Sequence, residues 1–226
     1  MMLDTGFQRL PGDIGYAPTW RFPVQFVVVR GATPERIVKR NADGMLELFL
    51  RAADELVALG VDGITTSCGF LAMFQGEVAA AVSVPVFTSS LMLVPLVHRM
   101  LPPGKAVGIV TVDASSLRPE HYAGAGISPD MATVVAGLET EKEFTRVLLD
   151  DEIELDVEMA RQEHVTVARR LVEAHPEIGA IVLECTNMPP YRADVQAATG
   201  LPVFDITTLV RMVHDAVGQG SAPRPA

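Results

Sequence analysis

The residues best suited to do chemistry in this sequence are two cysteines. Cys68 and Cys185 are the only cysteines among the 226 residues, and each follows a short apolar run typical of a β-strand. Downstream of them, Pro85 and Pro202 recur with the same spacing (185 − 68 = 117; 202 − 85 = 117). This shared register predicts two similar halves, each with one cysteine at the carboxyl end of a strand.

Two thiols that face each other can move protons on both sides of one carbon atom. A thiol at a strand-to-helix turn lies near backbone N–H groups, which favour the thiolate and can also hold a carboxylate. One thiolate would remove a proton, and the opposite thiol would deliver one. We expect no cofactor and no metal for this reaction, because the sequence lacks dinucleotide and P-loop motifs and has no clustered histidines beside its cysteines.

Strands and helices are predicted to alternate along the chain, which favours parallel sheets covered on both faces. The strands are predicted at 24–29, 61–66, 84–88, 106–112, 131–135, 178–183 and 201–204, and residues 1–5 resemble the end of a strand that begins upstream. The helices are predicted at 34–59, 71–82, 90–100, 149–174 and 209–217. The Gly- and Pro-rich segment 6–23 is predicted to be a long loop of the kind that often forms a lid, anchored by Trp20.

A break at Pro102-Pro103-Gly104 predicts the boundary between the halves. The N-terminal half-domain would span 1–103 and the C-terminal half-domain 104–206, with the last helix, 207–217, packing back on the first half. Residues 218–226 are expected to form a flexible tail. The carboxyl-end loops of the two sheets would then meet in one cleft, where α/β proteins bind their ligands.

The formal net charge of −10 and the lack of a basic cluster argue against nucleic acid or an anionic membrane surface as a partner. No window approaches the ~20 apolar residues of a membrane span, and no signal-peptide pattern is present. We therefore expect a cytoplasmic protein whose substrate, if it is an anion, is held by local donors.

The paired motifs resemble those of the cofactor-independent aspartate/glutamate racemase superfamily. The matching residues are Thr66-Ser67-Cys68-Gly69-Phe70, Glu184-Cys185-Thr186-Asn187 and, after the first strand, Asp4-Thr5-Gly6. The superfamily also includes hydantoin racemases, arylmalonate decarboxylases and maleate isomerases. The resemblance covers nearly the whole chain and implies an α/β fold with two pseudo-symmetric flavodoxin-like halves, a site in the cleft between them, and a homodimer.

The resemblance also implies roles for individual residues. Cys68 and Cys185 would be the acid/base thiols, and Asp4 would support the nearer cysteine. The residues that would contact a carboxylate substrate are Thr5, Ser67, Gly69, Phe70, Ser115, Thr186, Asn187 and Arg36, with Arg30 as a rival to Arg36. Gly69 and Phe70 stand where amino-acid racemases commonly have Asn-Thr, so an aromatic ring is expected to replace a pair of donors.

We therefore predict a racemase or epimerase, an isomerase of the type that needs no pyridoxal phosphate, acting on an amino acid or a related carboxylate by two-base proton transfer. Two alternatives keep the fold: a maleate-isomerase-like enzyme with a nucleophilic cysteine, and a decarboxylase-like enzyme. A third alternative is a two-lobed protein that binds a small molecule and whose cysteines only line the cleft.

Overall fold

The computed structural model describes residues 1–218, so the predicted flexible tail lies outside the described residues except for Gly218. The strands in this part of the chain are β1 Met2–Leu3, β2 Val28–Val29, β3 Ile64–Thr65, β4 Val86–Phe87, β5 Ala106–Thr111, β6 Thr133–Gly137, β7 Ile178–Leu183 and β8 Val203–Phe204. The α-helices are α1 Leu46–Ala58, α2 Gln75–Ala81, α3 Val94–Met100, α4 Pro119–Gly124, α5 Phe144–Asp150, α6 Val157–Ala174, α7 Arg192–Thr199 and α8 Ile206–Val217.

The two halves repeat one sheet topology. In the second half, the parallel strands lie in the order β6-β5-β7-β8. In the first half, β1 pairs with β2 and β3 pairs with β4, all in parallel. Backbone hydrogen bonds join β1 to β3, because the Met1 nitrogen donates to the Thr65 carbonyl (2.8 Å) and the Ser67 N–H donates to the Met1 carbonyl (3.0 Å). Both halves therefore have the order 2-1-3-4, which confirms the predicted α/β fold.

Three of the four strands in the second half, β5, β6 and β7, are longer than any strand of the first half. Every residue of β5 is buried, as is nearly all of β7, in agreement with their continuous apolar sequences. In the first half the predicted strand 24–29 shrinks to Val28–Val29. Val24, Phe26 and Val28 are 36–39% exposed, so one face of this segment is left uncovered.

Two predicted helices are interrupted by left-handed backbone. The prediction at 34–59 splits into a π-helical turn, Glu35–Lys39, and α1, because Asn41 and Ala42 adopt φ of 53° and 51° between them. The prediction at 149–174 splits into α5 and α6 at Asp151, whose φ is 55°. The predicted helices at 71–82 and 90–100 each begin as a 3₁₀ turn, Gly69–Phe74 and Ser90–Leu93.

Helix α8 belongs to the end of the chain but packs on the first half. The His214 ring stacks on Phe22 with a centroid distance of 3.7 Å, and Val210 shares a hydrophobic cluster with Phe87. Within residues 1–218, none of the helices is both long and apolar enough to cross a membrane.

Candidate functional site

The two cysteines lie on the wall of one cavity between the halves. Cys68 follows β3 and precedes the 3₁₀ turn Gly69–Phe74, and Cys185 follows β7. Both are free thiols, 8% and 7% exposed. The cavity has a volume of about 20 Å³, which is room for about one water molecule. The equivalent positions predicted from the repeat therefore bring both sulfurs to one small chamber.

Several other predicted site residues share this wall: Thr5, Ser67, Gly69, Phe70 and Asn187. They come from the loops after β1, β3 and β7, so the carboxyl ends of strands from both halves form the site. This is the edge where ligands of parallel α/β sheets bind.

Asp4 and Arg36 lie outside this cavity, which corrects their predicted roles. The Asp4 carboxylate accepts hydrogen bonds from the Gly31 N–H (2.9 Å) and from Arg30 Nη1 (3.1 Å). The Arg36 guanidinium donates to the Gly31 carbonyl (2.9 Å). Asp4 and the two rival arginines thus hold the turn after β2, and none of the three lines the cavity that contains the thiols.

Ser115 and Thr186 also require correction, because their hydroxyl groups are committed elsewhere. Ser115 Oγ donates to Asp113 Oδ1 (2.6 Å), outside the cavity wall. Thr186 is fully buried, and its Oγ1 donates to the Ser67 carbonyl (2.7 Å). Thr186 therefore ties the loop after β7 to the loop after β3, so that it holds the two cysteine turns together.

Arg9, from the long loop 6–23, is a site residue that sequence reasoning missed. Its guanidinium lies 4.4 Å from the Phe7 ring centroid and lines the cavity. Nη2 donates to Thr5 Oγ1 (2.8 Å) and Nη1 to Asp13 Oδ1 (3.2 Å). Asp13 is itself buried and accepts a hydrogen bond from Asn187 Nδ2. The loop has no periodic pattern that would have indicated either residue.

Glu184 is a second residue without a predicted role, although it lies in the second cysteine motif. Its side chain is fully buried and lines the cavity. Oε2 accepts a hydrogen bond from Thr111 Oγ1 (2.7 Å). Burial raises the pKa of Glu184 to about 7, and the Thr111 hydrogen bond opposes that shift. The sequence did contain a sign of this residue, an acidic side chain at the end of a fully apolar strand. Acidic side chains are seldom fully buried unless they have a partner.

The environment of the thiols differs from the expected one. Burial, followed by the negative charge of Glu184, raises the pKa of Cys68 far above its usual value. The same two causes raise the pKa of Cys185. As expected, N–H groups at the turns, from Phe70 and Asn187, lower both thiol pKa values, but their effect is smaller than that of burial and of Glu184.

The two thiols are nevertheless not equivalent. The positive charge of Arg9 lowers the pKa of Cys68, whereas the negative charge of Asp13 raises that of Cys185. The Cys185 thiol also donates to Asn187 Oδ1, with an S···O distance of 3.6 Å. Arg9 therefore favours the thiolate at Cys68, whereas Asp13 and the bond to Asn187 favour the protonated thiol at Cys185.

No family model matches the chain. Among curated proteins, it is 34% identical over 209 residues to the dimethylsulfoniopropionate lyase of Durusdinium sp. clade D, covering 90% of this chain and 69% of that protein. It is also 34% identical over 214 residues to dimethylsulfoniopropionate lyase 3 of Emiliania huxleyi, covering 91% of this chain and 56% of the relative. The chain belongs to the dimethylsulfoniopropionate lyase family.

Solved structures place this lyase family member in the fold of the aspartate/glutamate racemase superfamily, as the motifs predicted. Arylmalonate decarboxylase matches with a TM-score of 0.60 at 14% identity, covering 100% of this chain and 94% of the other. An aspartate racemase homologue from Pyrococcus horikoshii matches with a TM-score of 0.59 at 14% identity, covering 89% and 88%. At such low identity, these likenesses concern the fold alone.

The predicted racemase or epimerase activity, and with it the isomerase class, is wrong for a member of this family. Its relatives at 34% identity are named as lyases. The chain spans between about half and two-thirds of the length of these relatives. What the chain shares with the racemases is the fold, and a fold does not determine the reaction.

Proposed function

We propose that this chain is a lyase that splits dimethylsulfoniopropionate, or a closely similar sulfonio carboxylate, by β-elimination. A base removes the proton next to the carboxylate, a carbon–carbon double bond forms, and the carbon–sulfur bond breaks. The products are acrylate, neutral dimethyl sulfide and a proton. The observation that carries the proposal is that two thiols and the Arg9 guanidinium share one cavity, in a chain whose relatives bear this lyase name.

Arg9 is the group suited to hold the substrate carboxylate. A guanidinium has five N–H donors, so donors remain after the bonds to Thr5 and Asp13. The positive charge of Arg9 also stabilises the electron density that develops on the carboxylate when the α-proton leaves.

Phe70 is suited to the opposite end of the substrate. Its ring lines the cavity, and its packing against His121 (centroids 5.2 Å apart, edge to face) fixes its orientation. An aromatic face attracts a sulfonium cation by the cation–π interaction without hydrogen-bonding it. The replacement of a donor pair by Gly69-Phe70, noted from the sequence, thus suits a substrate with a cationic end.

Cys68 is the proposed base. It is the thiol whose ionisation the Arg9 charge favours, whereas Cys185 is held as a thiol against Asn187. A thiolate at Cys68 takes the α-proton, the electron pair of that C–H bond forms the double bond, and dimethyl sulfide leaves with the electron pair of the C–S bond. Because the leaving group departs neutral, no acid is needed to protonate it.

The test is to incubate the purified protein with dimethylsulfoniopropionate and to measure dimethyl sulfide in the headspace by gas chromatography and acrylate by NMR. We expect both products in equal amounts. Cys68→Ser should lower kcat about 10²–10⁴-fold, the usual contribution of a positioned base. Cys185→Ser, the matched control at the equivalent turn, should lose less. Absence of both products, or wild-type turnover by Cys68→Ser, would refute the proposal.

A further inference from the structure

The Glu184 carboxylate is held in an unusual way for a buried acid. Its Oε2 is bonded to Thr111, but Oε1 is fully enclosed and has no hydrogen-bond partner among residues 1–218. A buried acceptor without a partner is costly and calls for a functional explanation.

Oε1 lies directly against the turn that carries Cys68. A Cβ added at Gly69 would lie 2.2 Å from Glu184 Oε1 and 2.4 Å from the Glu184 carbonyl oxygen. Only a residue without a side chain fits there. Because residue 69 is glycine, the Glu184 carboxylate can pack directly against the turn that follows Cys68. Glu184 and both cysteines also line the same cavity.

We propose that Glu184 accepts the proton of the Cys68 thiol and so generates the thiolate inside the closed site. This inference rests on the proposed elimination, for which a thiolate is required. Glu184 is a positioning residue in this scheme, because it acts on the substrate only through Cys68.

The proton balance of the cycle closes. The S–H bond of Cys68 breaks and an O–H bond forms at Glu184. The thiolate then takes the α-proton of the substrate, dimethyl sulfide and acrylate leave, and Cys68 is again a thiol. Glu184 finally releases its proton to water, which accounts for the one proton that the elimination produces.

The charges around Glu184 favour moving this proton within the site. The titratable groups on which the Glu184 charge acts are Cys68, Cys185 and, from α4, Tyr122. Arg9 lines the same cavity, where it is paired with Asp13. A carboxylate and a thiolate together would place two negative charges in a small, mostly buried cavity whose cation, Arg9, is already paired with Asp13. Transfer of the proton keeps the negative charge at one, and the two groups then titrate as a coupled pair. Burial already brings the pKa of Glu184 to about 7, close to ambient pH.

The test measures thiolate reactivity without any substrate. In the Cys185→Ser background Cys68 is the sole cysteine, and its alkylation by iodoacetamide can be followed by intact-mass spectrometry as a function of pH. We expect a rise in rate with an inflection near the pKa of Glu184, about 7. Glu184→Gln, which keeps the size and can still accept from Thr111, should lower the rate at that pH about tenfold or more and remove the inflection.

The opposite result identifies the competing explanation. If Glu184 only repels the thiolate, Glu184→Gln removes that repulsion and speeds alkylation, which would overturn the inference. Glu184→Asp should keep the inflection, because it keeps an ionisable group. Thr111→Val removes the bond that lowers the pKa of Glu184, so the inflection should move to higher pH; an unmoved inflection would also count against the inference.

Failure of the inference and failure of the proposed function are distinguishable. If the protein releases dimethyl sulfide and Glu184→Gln is alkylated faster, the proposed lyase activity is supported and the proton transfer to Glu184 is refuted. If the alkylation profile is as expected but no dimethyl sulfide is released, the proton transfer to Glu184 is supported and the proposed lyase activity is refuted.

Discussion

At the level of single residues, the sequence did not predict which arginine lines the site. The family motif pointed to Arg36, with Arg30 as a rival, yet both hold the turn after β2. Arg9 faces the thiols because Asp13 and Thr5 position its guanidinium. Those contacts arise within an irregular loop whose path depends on the second half of the molecule. The cysteines could be found from the sequence because a strand end fixes them, whereas a loop arginine has no such register.

Replacing Arg9 tests this assignment. Arg9→Gln should raise KM for dimethylsulfoniopropionate about 10-fold or more, since a hydrogen bond to a charged group contributes roughly 1.5–3 kcal/mol. Arg36→Gln, the matched control, removes an arginine that lies outside the cavity and should leave KM unchanged. Initial rates over a range of substrate concentrations give both values. An equal effect of the two substitutions would reject Arg9 as the carboxylate anchor.

At the level of elements, sequence patterns predicted the strands whose bounds follow from burial. They missed the helix interruptions that follow from local backbone conformation. Strand β7 has the predicted bounds, 178–183, because a continuous apolar run suits a strand covered on both faces. The predicted helix 34–59 is interrupted at Asn41 and Ala42, which adopt left-handed conformations. The spacing of hydrophobic residues gives no sign of such conformations. The turn after Cys68 was correctly expected as the start of a helix, but its 3₁₀ geometry was not predicted.

The close approach of that turn to β7 can be probed at Gly69. Gly69→Ala forces the loop or the Glu184 carbonyl to shift, because the added Cβ would meet backbone as well as side chain. We expect a loss of about 1–3 kcal/mol in the free energy of unfolding, as in other overpacked sites, together with lower activity. Gly76→Ala is the control: Gly76 lies in α2 with open space around it, so alanine should be neutral or stabilise by about 0.5–1 kcal/mol. Urea denaturation compares them, and equal stabilities would contradict the close approach.

At the level of the whole molecule, polar contacts join the two halves around the cleft. Lys39, from the first half, bonds to Asp113, which is fully buried in the second half. The Gly6 N–H donates to Asp151 (2.7 Å), again across the halves. Together with the bond from Thr186 to Ser67, these contacts fix how the two cysteine turns face each other. The homodimer implied by the family resemblance stays a prediction, which light scattering can measure.

The Lys39–Asp113 contact predicts a dependence of stability on pH. Burial alone would raise the pKa of Asp113, but hydrogen bonds from Lys39, Ser115 and Ser116 outweigh it and lower the pKa to about 2. A carboxyl group with a depressed folded-state pKa stabilises the protein above its unfolded pKa, about 3.9, and loses that contribution as the pH falls towards 2.

Asp113→Asn should therefore lower Tm at neutral pH by about 2–4 °C, the shift expected for roughly 1 kcal/mol in a chain of this size. The gap from the wild type should narrow between about pH 4 and pH 2, because the carboxyl of the unfolded chain becomes protonated over this range and the native carboxyl begins to do so only near pH 2. Glu35→Gln is the control, since Glu35 pairs with Arg40 at the exposed surface. Thermal melts across this pH range measure the difference in Tm. A difference between wild type and Asp113→Asn that widened in acid would contradict a lowered pKa for Asp113.

The volume of the cavity has a mechanical consequence. A chamber of about 20 Å³ holds roughly one water molecule, so its walls have to part to admit any molecule with both a carboxylate and a sulfonium group. The wall formed by Phe7 and Arg9 is bonded through Asp13 to Asn187, whose Oδ1 accepts a hydrogen bond from the Cys185 thiol. Movement of that wall away from the second half would break the bond from Asn187 to Asp13 and so loosen the restraint on Cys185. In the proposed lyase we therefore expect the opening that admits the substrate also to release the restraint on Cys185.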